Sequence, residues 1–181
     1  MRKERKITSK QTALTLGWLF VLGSVFGWLF ELFVRRVDEG VWQNPGLLRG
    51  TYLPIYGCGL AALYLLAKLP LPIKNEAVER VVKIPLVGLT LTLIEYIGGL
   101  IFVKGMRMPL WDYSYAVGNV QGLICPLISF VWTALGGVYL LFLHKRVEVL
   151  ETRVDKYPAA SVVLAFILGI MLADLTFALV A

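Results

Sequence analysis

Glu31, Glu95 and Asp174 each lie within a run of apolar residues. An ionised carboxylate in hydrocarbon costs about 2.5–3.5 kcal/mol on insertion scales, so such a group faces protein or water, and the chemistry open to it is to hold a charge or take up a proton. The spacing around the first acid is regular: Gly23, Gly27, Glu31 and Arg35 recur at steps of four, on one face of a helix. A groove of small residues thus leads to the acid, and Arg35 stands one turn on, placed to pair with it. Gly88, Thr92, Glu95 and Gly99 cluster on one side in the same manner, with no Arg one turn later. Arg49, Lys104 and Arg107 are the cations available to Glu95. The alternative role for all three acids is structural, as halves of salt bridges between helices and loops.

A short pattern follows each of the first two acids. Gly46-Leu-Leu-Arg-Gly50-Thr-Tyr-Leu-Pro54 and Gly118-Asn-Val-Gln-Gly122-Leu-Ile-Cys-Pro126 both read GxxxGxxxP, and each opens another apolar segment. Self-similarity of this kind exposes a structural unit, and in membrane transporters such repeats often meet at the binding site. The Gly pair allows close backbone approach, and Pro suits the first turn of the helix that follows. A plain helix-entry turn would read the same way in either motif alone.

The elements that must position these residues are helices in lipid. With 58% hydrophobic residues, 17% charged and a positive mean hydropathy, the chain has more apolar surface than a soluble domain of 181 residues could hide. Five segments approach the ~20 residues needed to cross ~30 Å of hydrocarbon: Thr12 to Val34, Tyr52 to Leu69, Ile84 to Val103, Val120 to Leu143 and Ala159 to Val180. The second is crowded at its start by Pro54, Gly57 and Gly59. The first is too long for a cleavable signal, lacks a small-residue cleavage site, and is expected to stay as a helix. The fold expected is an all-α integral membrane protein with a single membrane domain over 1–181. Within it, repeat units near 12–69 and 84–143 are followed by an additional helix near 159–180.

Thirteen of the 18 Lys and Arg fall in the N-terminal tail (Arg2, Lys3, Arg5, Lys6, Lys10), the second loop and the fourth loop. The positive-inside rule therefore puts the N-terminus in the cytoplasm and the C-terminus outside. Cysteines placed at Glu39 and Arg107 are expected to be labelled from outside. Segments one and three then run in the same direction, so the repeat is parallel, and Glu31 and Glu95 are expected at equivalent positions about a pseudo-two-fold axis, converging on one outer cavity. The net charge of +6 is explained by cytoplasmic loops beside anionic lipid, and no nucleic-acid partner is expected. No phosphate loop, metal-ligand spacing or Gly-x-Ser-x-Gly elbow is present, so no metal or cofactor is expected, and any ATP-driven step would need another chain. Cys58 and Cys125, both near the outer end of a helix, read as small apolar packing residues or as a disulfide. His144 reads as interfacial.

The outer loops are aromatic as well as basic. Trp42, Tyr52 and Tyr56 attend the first motif, and Trp111, Asp112, Tyr113 and Tyr115 precede the second. An interfacial belt accounts for many of these. The run Leu110-Trp-Asp-Tyr-Ser114 adds a charge at Asp112 and a hydroxyl at Ser114, which a belt does not need.

The order GWLFE at Gly27, YLPIYGCG at Tyr52, LIEYIGG at Leu93, LWDYS at Leu110 and GNVQGLICPLISFVW at Gly118 resembles the bacterial family of putative ABC-transporter type IV membrane proteins, over about Leu16 to Gly137. The resemblance implies that Glu31, Pro54, Tyr56, Gly57, Glu95, Trp111, Asp112, Tyr113, Ser114, Asn119 and Gly122 are motif positions. The chain departs from the family pattern at Pro45 and Leu123, where Arg is usual, and at Gly50-Thr51, where the family has a Gly-Pro pair.

The preferred reading is a permease-like transport component of the bacterial cytoplasmic membrane, with an outward-facing polar site for a small or amphiphilic solute; the lack of an ATPase, metal or nucleophile motif leans against an enzyme and leaves that question open. Glu31, Glu95, Arg35, Arg49, Tyr56, Trp111, Asp112, Tyr113, Ser114, Asn119 and Asp174 are its candidate residues. Expected partners are the lipid bilayer, a separate ATPase subunit, a second copy in a homodimer and a small or lipid-like ligand. Two alternatives stay open: a membrane enzyme or accessory protein acting on lipid-linked or envelope substrates at the outer leaflet, and a structural assembly factor.

Overall fold

The computed structural model describes residues 7–38, 40–108 and 110–180. Arg2, Lys3, Arg5 and Lys6 of the basic tail, and Glu39, lie outside the described residues. The described chain is helical: α1 (Ser9–Asp38), α2 (Pro54–Lys68), α3 (Glu76–Gly98), α4 (Pro126–Val138), α5 (His144–Glu151) and α6 (Pro158–Val180). Wider π turns extend α3 over Gly99–Gly105 and join α4 to α5 over Tyr139–Leu143.

Local chemistry sets the helix ends. Thr8 and Gln11 bond reciprocally ahead of α1, the Thr8 amide donating to Gln11 Oε1 at 2.9 Å and the Gln11 amide to Thr8 Oγ1 at 3.2 Å. That reciprocal box satisfies donors that a helix start otherwise orphans. Asn75 caps α3 by accepting from the amides of Ala77 and Val78. Pro126 opens α4, where its missing N–H costs nothing. Arg35 and Arg36 lie in the last turn of α1, at the negative end of its dipole.

Four helical stretches are long and apolar enough to cross a membrane: Ser9–Asp38, Glu76–Gly105, Pro126–Lys156 and Pro158–Val180. The second apolar segment is a shorter helix, Pro54–Lys68. Its 15 residues rise about 22 Å, less than the ~30 Å of hydrocarbon. The fourth segment begins at Pro126 rather than Val120, because the apolar residues just before it are folded back on themselves. Gly118, Gln121 and Gly122 take left-handed backbone angles of φ 73°, 57° and 72°, and Val120 bridges Ile124. Hydropathy alone reads Val120, Leu123 and Ile124 as span.

The chain divides into two compact units, Met1–Ala61 with Lys145–Ala181, and Ala62–His144. In the first, Val21, Leu48, Tyr52, Leu164 and Met171 are buried, with Leu14, Trp18 and Ile167 among the side chains packed on them. Gly23 admits the start of α2 so closely that a Cβ there would stand 2.9 Å from the Tyr56 carbonyl oxygen. One turn on, a Cβ at Gly27 would overlap the Tyr56 ring itself. In the second unit α3 and α4 pair tightly, Gly88 taking the side chain of Thr133 and Gly136 that of Val87. Small residues let backbones approach in lipid, where packing rather than water exclusion holds helices together.

At the opposite end of the second unit from the Gly118 motif, Lys83 is buried with its ammonium 2.8 Å from Glu79 and 2.7 Å from the Ala67 carbonyl oxygen. His144 is buried there too, its Nδ1 3.3 Å from the Tyr139 hydroxyl and its ring tilted against Tyr64. Protein neighbours thus cover His144, which directly follows the π turn over Tyr139–Leu143. Both cysteines are free thiols, Cys58 exposed and Cys125 buried.

Candidate functional site

Each unit holds one of the first two acids against an aromatic donor carried by the helix that its motif opens. In the first unit the carboxylate of Glu31, on α1, accepts a hydrogen bond from the Tyr56 hydroxyl on the first turn of α2. Gly27, one turn before Glu31, makes this possible, because only a residue without a side chain leaves room for the Tyr56 ring. The bond that reaches this carboxylate thus comes from a phenol across the helix pair, where the sequence pointed to the guanidinium of Arg35 on the same helix.

Asp174, on α6, serves the first motif directly. Its carboxylate accepts from the amide of Gly50 at 2.9 Å, the amide of Arg49 at 3.3 Å and the hydroxyl of Tyr52 at 2.6 Å. Two successive backbone amides and a phenol aimed at one carboxylate make an anchor for the turn ahead of α2. The Arg49 guanidinium lies over the Phe177 ring, 4.0 Å from its centroid. Asn44 organises the same loop, accepting from Trp28 Nε1 at 2.7 Å and donating to the Leu48 carbonyl at 2.8 Å.

In the second unit Glu95 is 5% exposed, and its two oxygens accept from different groups: Tyr113 Oη at 3.1 Å and Trp132 Nε1 at 3.0 Å. Tyr113 comes from the loop and Trp132 from α4, so this acid joins three parts of the unit. Lys104, one of the cations considered for Glu95, donates to Gln121 Oε1 at 2.9 Å.

The loop carrying Tyr113 is held by its own polar side chains. Asp112 accepts from the amide and the hydroxyl of Ser114 at 2.8 and 3.0 Å, a local turn that occupies both carboxylate oxygens. Asn119 donates to the Ala116 carbonyl at 2.8 Å and accepts from the Gly122 amide at 2.9 Å. Gly122 must lack a side chain twice over, since its φ is 72° and a Cβ would stand 2.9 Å from Asp112 Oδ1. Trp111 donates through Nε1 to the Leu123 carbonyl at 2.9 Å. Beside this loop opens a cavity of about 330 Å³, with Lys104, Arg107, Trp111, Asp112 and Gln121 in its wall. Among the described residues no group of three His, Cys, Asp or Glu is placed to hold a metal ion.

The structure therefore joins Glu31 with Tyr56, Asp174 with the backbone at Arg49, and Glu95 with Tyr113, and it sets Trp111, Asp112, Ser114 and Asn119 in one loop. Sequence reasoning did not single out Trp132 or Asn44. Trp132 lies 37 positions from its acid and shows no periodicity with it. Its only signal is positional, as an aromatic donor shortly after the motif proline, like Tyr56 after Pro54.

A family model described as Putative ABC-transporter type IV matches residues 18–179. The match continues through α6, past the Gly137 limit of the resemblance read from the motifs. No curated protein and no solved structure matches the chain.

Proposed function

The chain belongs to the Putative ABC-transporter type IV family, a membrane transport component in that general sense, and from that premise we propose a permease-like subunit with an outward-facing polar site for a small or amphiphilic solute. The observation that carries the reading is Glu95. An acid buried in an apolar helix is costly, yet here both oxygens are met by aimed donors from two other elements. Such an acid is held ready to exchange a proton or a ligand bond while its surroundings stay fixed. Glu31 with Tyr56 is the corresponding group of the first unit and the more structural of the two, since its donor sits on the packed helix α2, while Glu95 also takes a bond from the loop through Tyr113.

The rest of the reading follows from charge. On this reading Pro54–Lys68 crosses as a short span in locally thinned bilayer, and the basic loops then put the N-terminus in the cytoplasm of a bacterial cell, with both GxxxGxxxP motifs at the outer face. Energy for transport would come from a separate ATPase subunit, and a second copy of the chain is an expected partner. Lys104 and Arg107 in the cavity wall favour a second reading, an accessory role on lipid-linked envelope substrates, whose phosphates suit cations.

The test is Glu95→Gln in the full-length protein. The amide keeps an oxygen for Trp132 and turns its N–H₂ to the Tyr113 hydroxyl, which accepts as readily as it donates. Folding and membrane insertion are therefore expected to persist, while the cellular phenotype of a deletion strain goes uncomplemented. Full complementation by a folded Glu95→Gln protein would reject the acid as the working group.

A further inference from the structure

We propose that the cavity at the end of α3 in the second unit binds a phosphate-bearing anionic headgroup; the inference rests on the outward-site reading and names its ligand class. About 330 Å³ lies at the lower end of the range of ligand pockets, enough for a phosphate with a few attached carbons. The charges in its wall do not cancel. Asp112, turned onto the amide and hydroxyl of Ser114, is a single carboxylate against the two cations Lys104 and Arg107, so the wall stays positive. Lys104 meets only a neutral acceptor in Gln121, and among the described residues no hydrogen bond or ion pair engages the Arg107 side chain. An open guanidinium beside an ammonium is the pairing that takes a phosphate, one by fork geometry and one as a point charge.

The backbone supports the same assignment. Arg107 and Gln121, both in the cavity wall, hold left-handed angles of φ 56° and 57°. Side-chain-bearing residues pay to stay there, and such positions gather at ligand clamps. Val103, Met108 and Leu123 make part of the wall apolar, with Trp111 held by its bond to the Leu123 carbonyl. An anion with an apolar attachment fits both halves, phosphate on the cations and carbon on Trp111.

The experiment uses purified full-length protein in a neutral detergent, titrated by calorimetry with short-chain phosphatidic acid, with inorganic phosphate and with the matching diacylglycerol. Phosphatidic acid is expected to bind, with affinity reduced about tenfold or more by Arg107→Gln and by Lys104→Gln, each checked for an unchanged melt. Arg107→Lys is expected to recover part of the loss. Tighter binding of phosphatidic acid than of inorganic phosphate identifies a lipid headgroup, and equal binding identifies the free anion. Diacylglycerol binding as tightly as phosphatidic acid, or both Gln variants retaining full affinity, overturns the proposal. The titration needs no transport, so its failure and a failed Glu95→Gln phenotype are separate results.

Discussion

Adding one methyl group at Gly27 should separate α1 from α2, because the Cβ would occupy space held by the Tyr56 ring. Unlike the far end of a flexible chain, the ring is fixed at its own Cβ and cannot swing aside without moving α2. Overpacking of this kind costs about 1–3 kcal/mol. Displacing Tyr56 also breaks its bond to the Glu31 carboxylate, a hydrogen bond to a charged group and so about 1.5–3 kcal/mol. The gain in helix propensity from Gly to Ala returns about 1 kcal/mol. The net loss is about 1.5–5 kcal/mol, or about 3–20 °C in melting temperature for a chain of this size. The assay is thermal unfolding in detergent for Gly27→Ala, Tyr56→Ala and the double variant. With the ring gone only the Cβ of residue 56 still crowds the added methyl, so Gly27→Ala should cost less in the Tyr56→Ala background than in the native chain. Gly169→Ala is the control, since a Cβ there has open space within 4 Å, and it should be neutral or slightly stabilising. Strict additivity of the two changes, to within about 0.5 kcal/mol, would refute the packing argument.

Gly122→Ala should cost about 1–3 kcal/mol, combining a left-handed backbone with crowding of Asp112 Oδ1, and should be read in the same melt; a neutral result would mean that the loop adopts another conformation. Asp174→Ala removes the shared acceptor of Gly50, Arg49 and Tyr52, so amide exchange at Gly50 should accelerate while amides within α3 are unaffected. After replacement of the two native cysteines, Arg107→Cys should react with an impermeant thiol reagent in intact cells; labelling only after lysis would place this loop in the cytoplasm.

The amino-acid sequence by itself determined the solvent, the helical class and the likeness between the two motif-bearing stretches, because each is written in runs of neighbouring residues. Apolar length marks a span, a recurrent Gly-Gly-Pro spacing marks an entry turn, and ordered motifs mark the family. The acids were legible as well, since a carboxylate in an apolar run stands out wherever it points. Their partners were not. Charge spacing along one helix favoured Arg35 for Glu31, whereas the packing that Gly27 permits brings Tyr56 across to it. Glu95 is met by Trp132, 37 residues away, through an indole that reads in sequence as one more apolar side chain. The start of α4 was misplaced for a related reason. Val120, Leu123 and Ile124 are apolar enough for a span, but left-handed angles at Gly118, Gln121 and Gly122 turn them into a loop. Hydropathy records what a residue avoids, while hydrogen-bond partners and backbone reversals depend on which surfaces meet, and that is decided only when the helices pack.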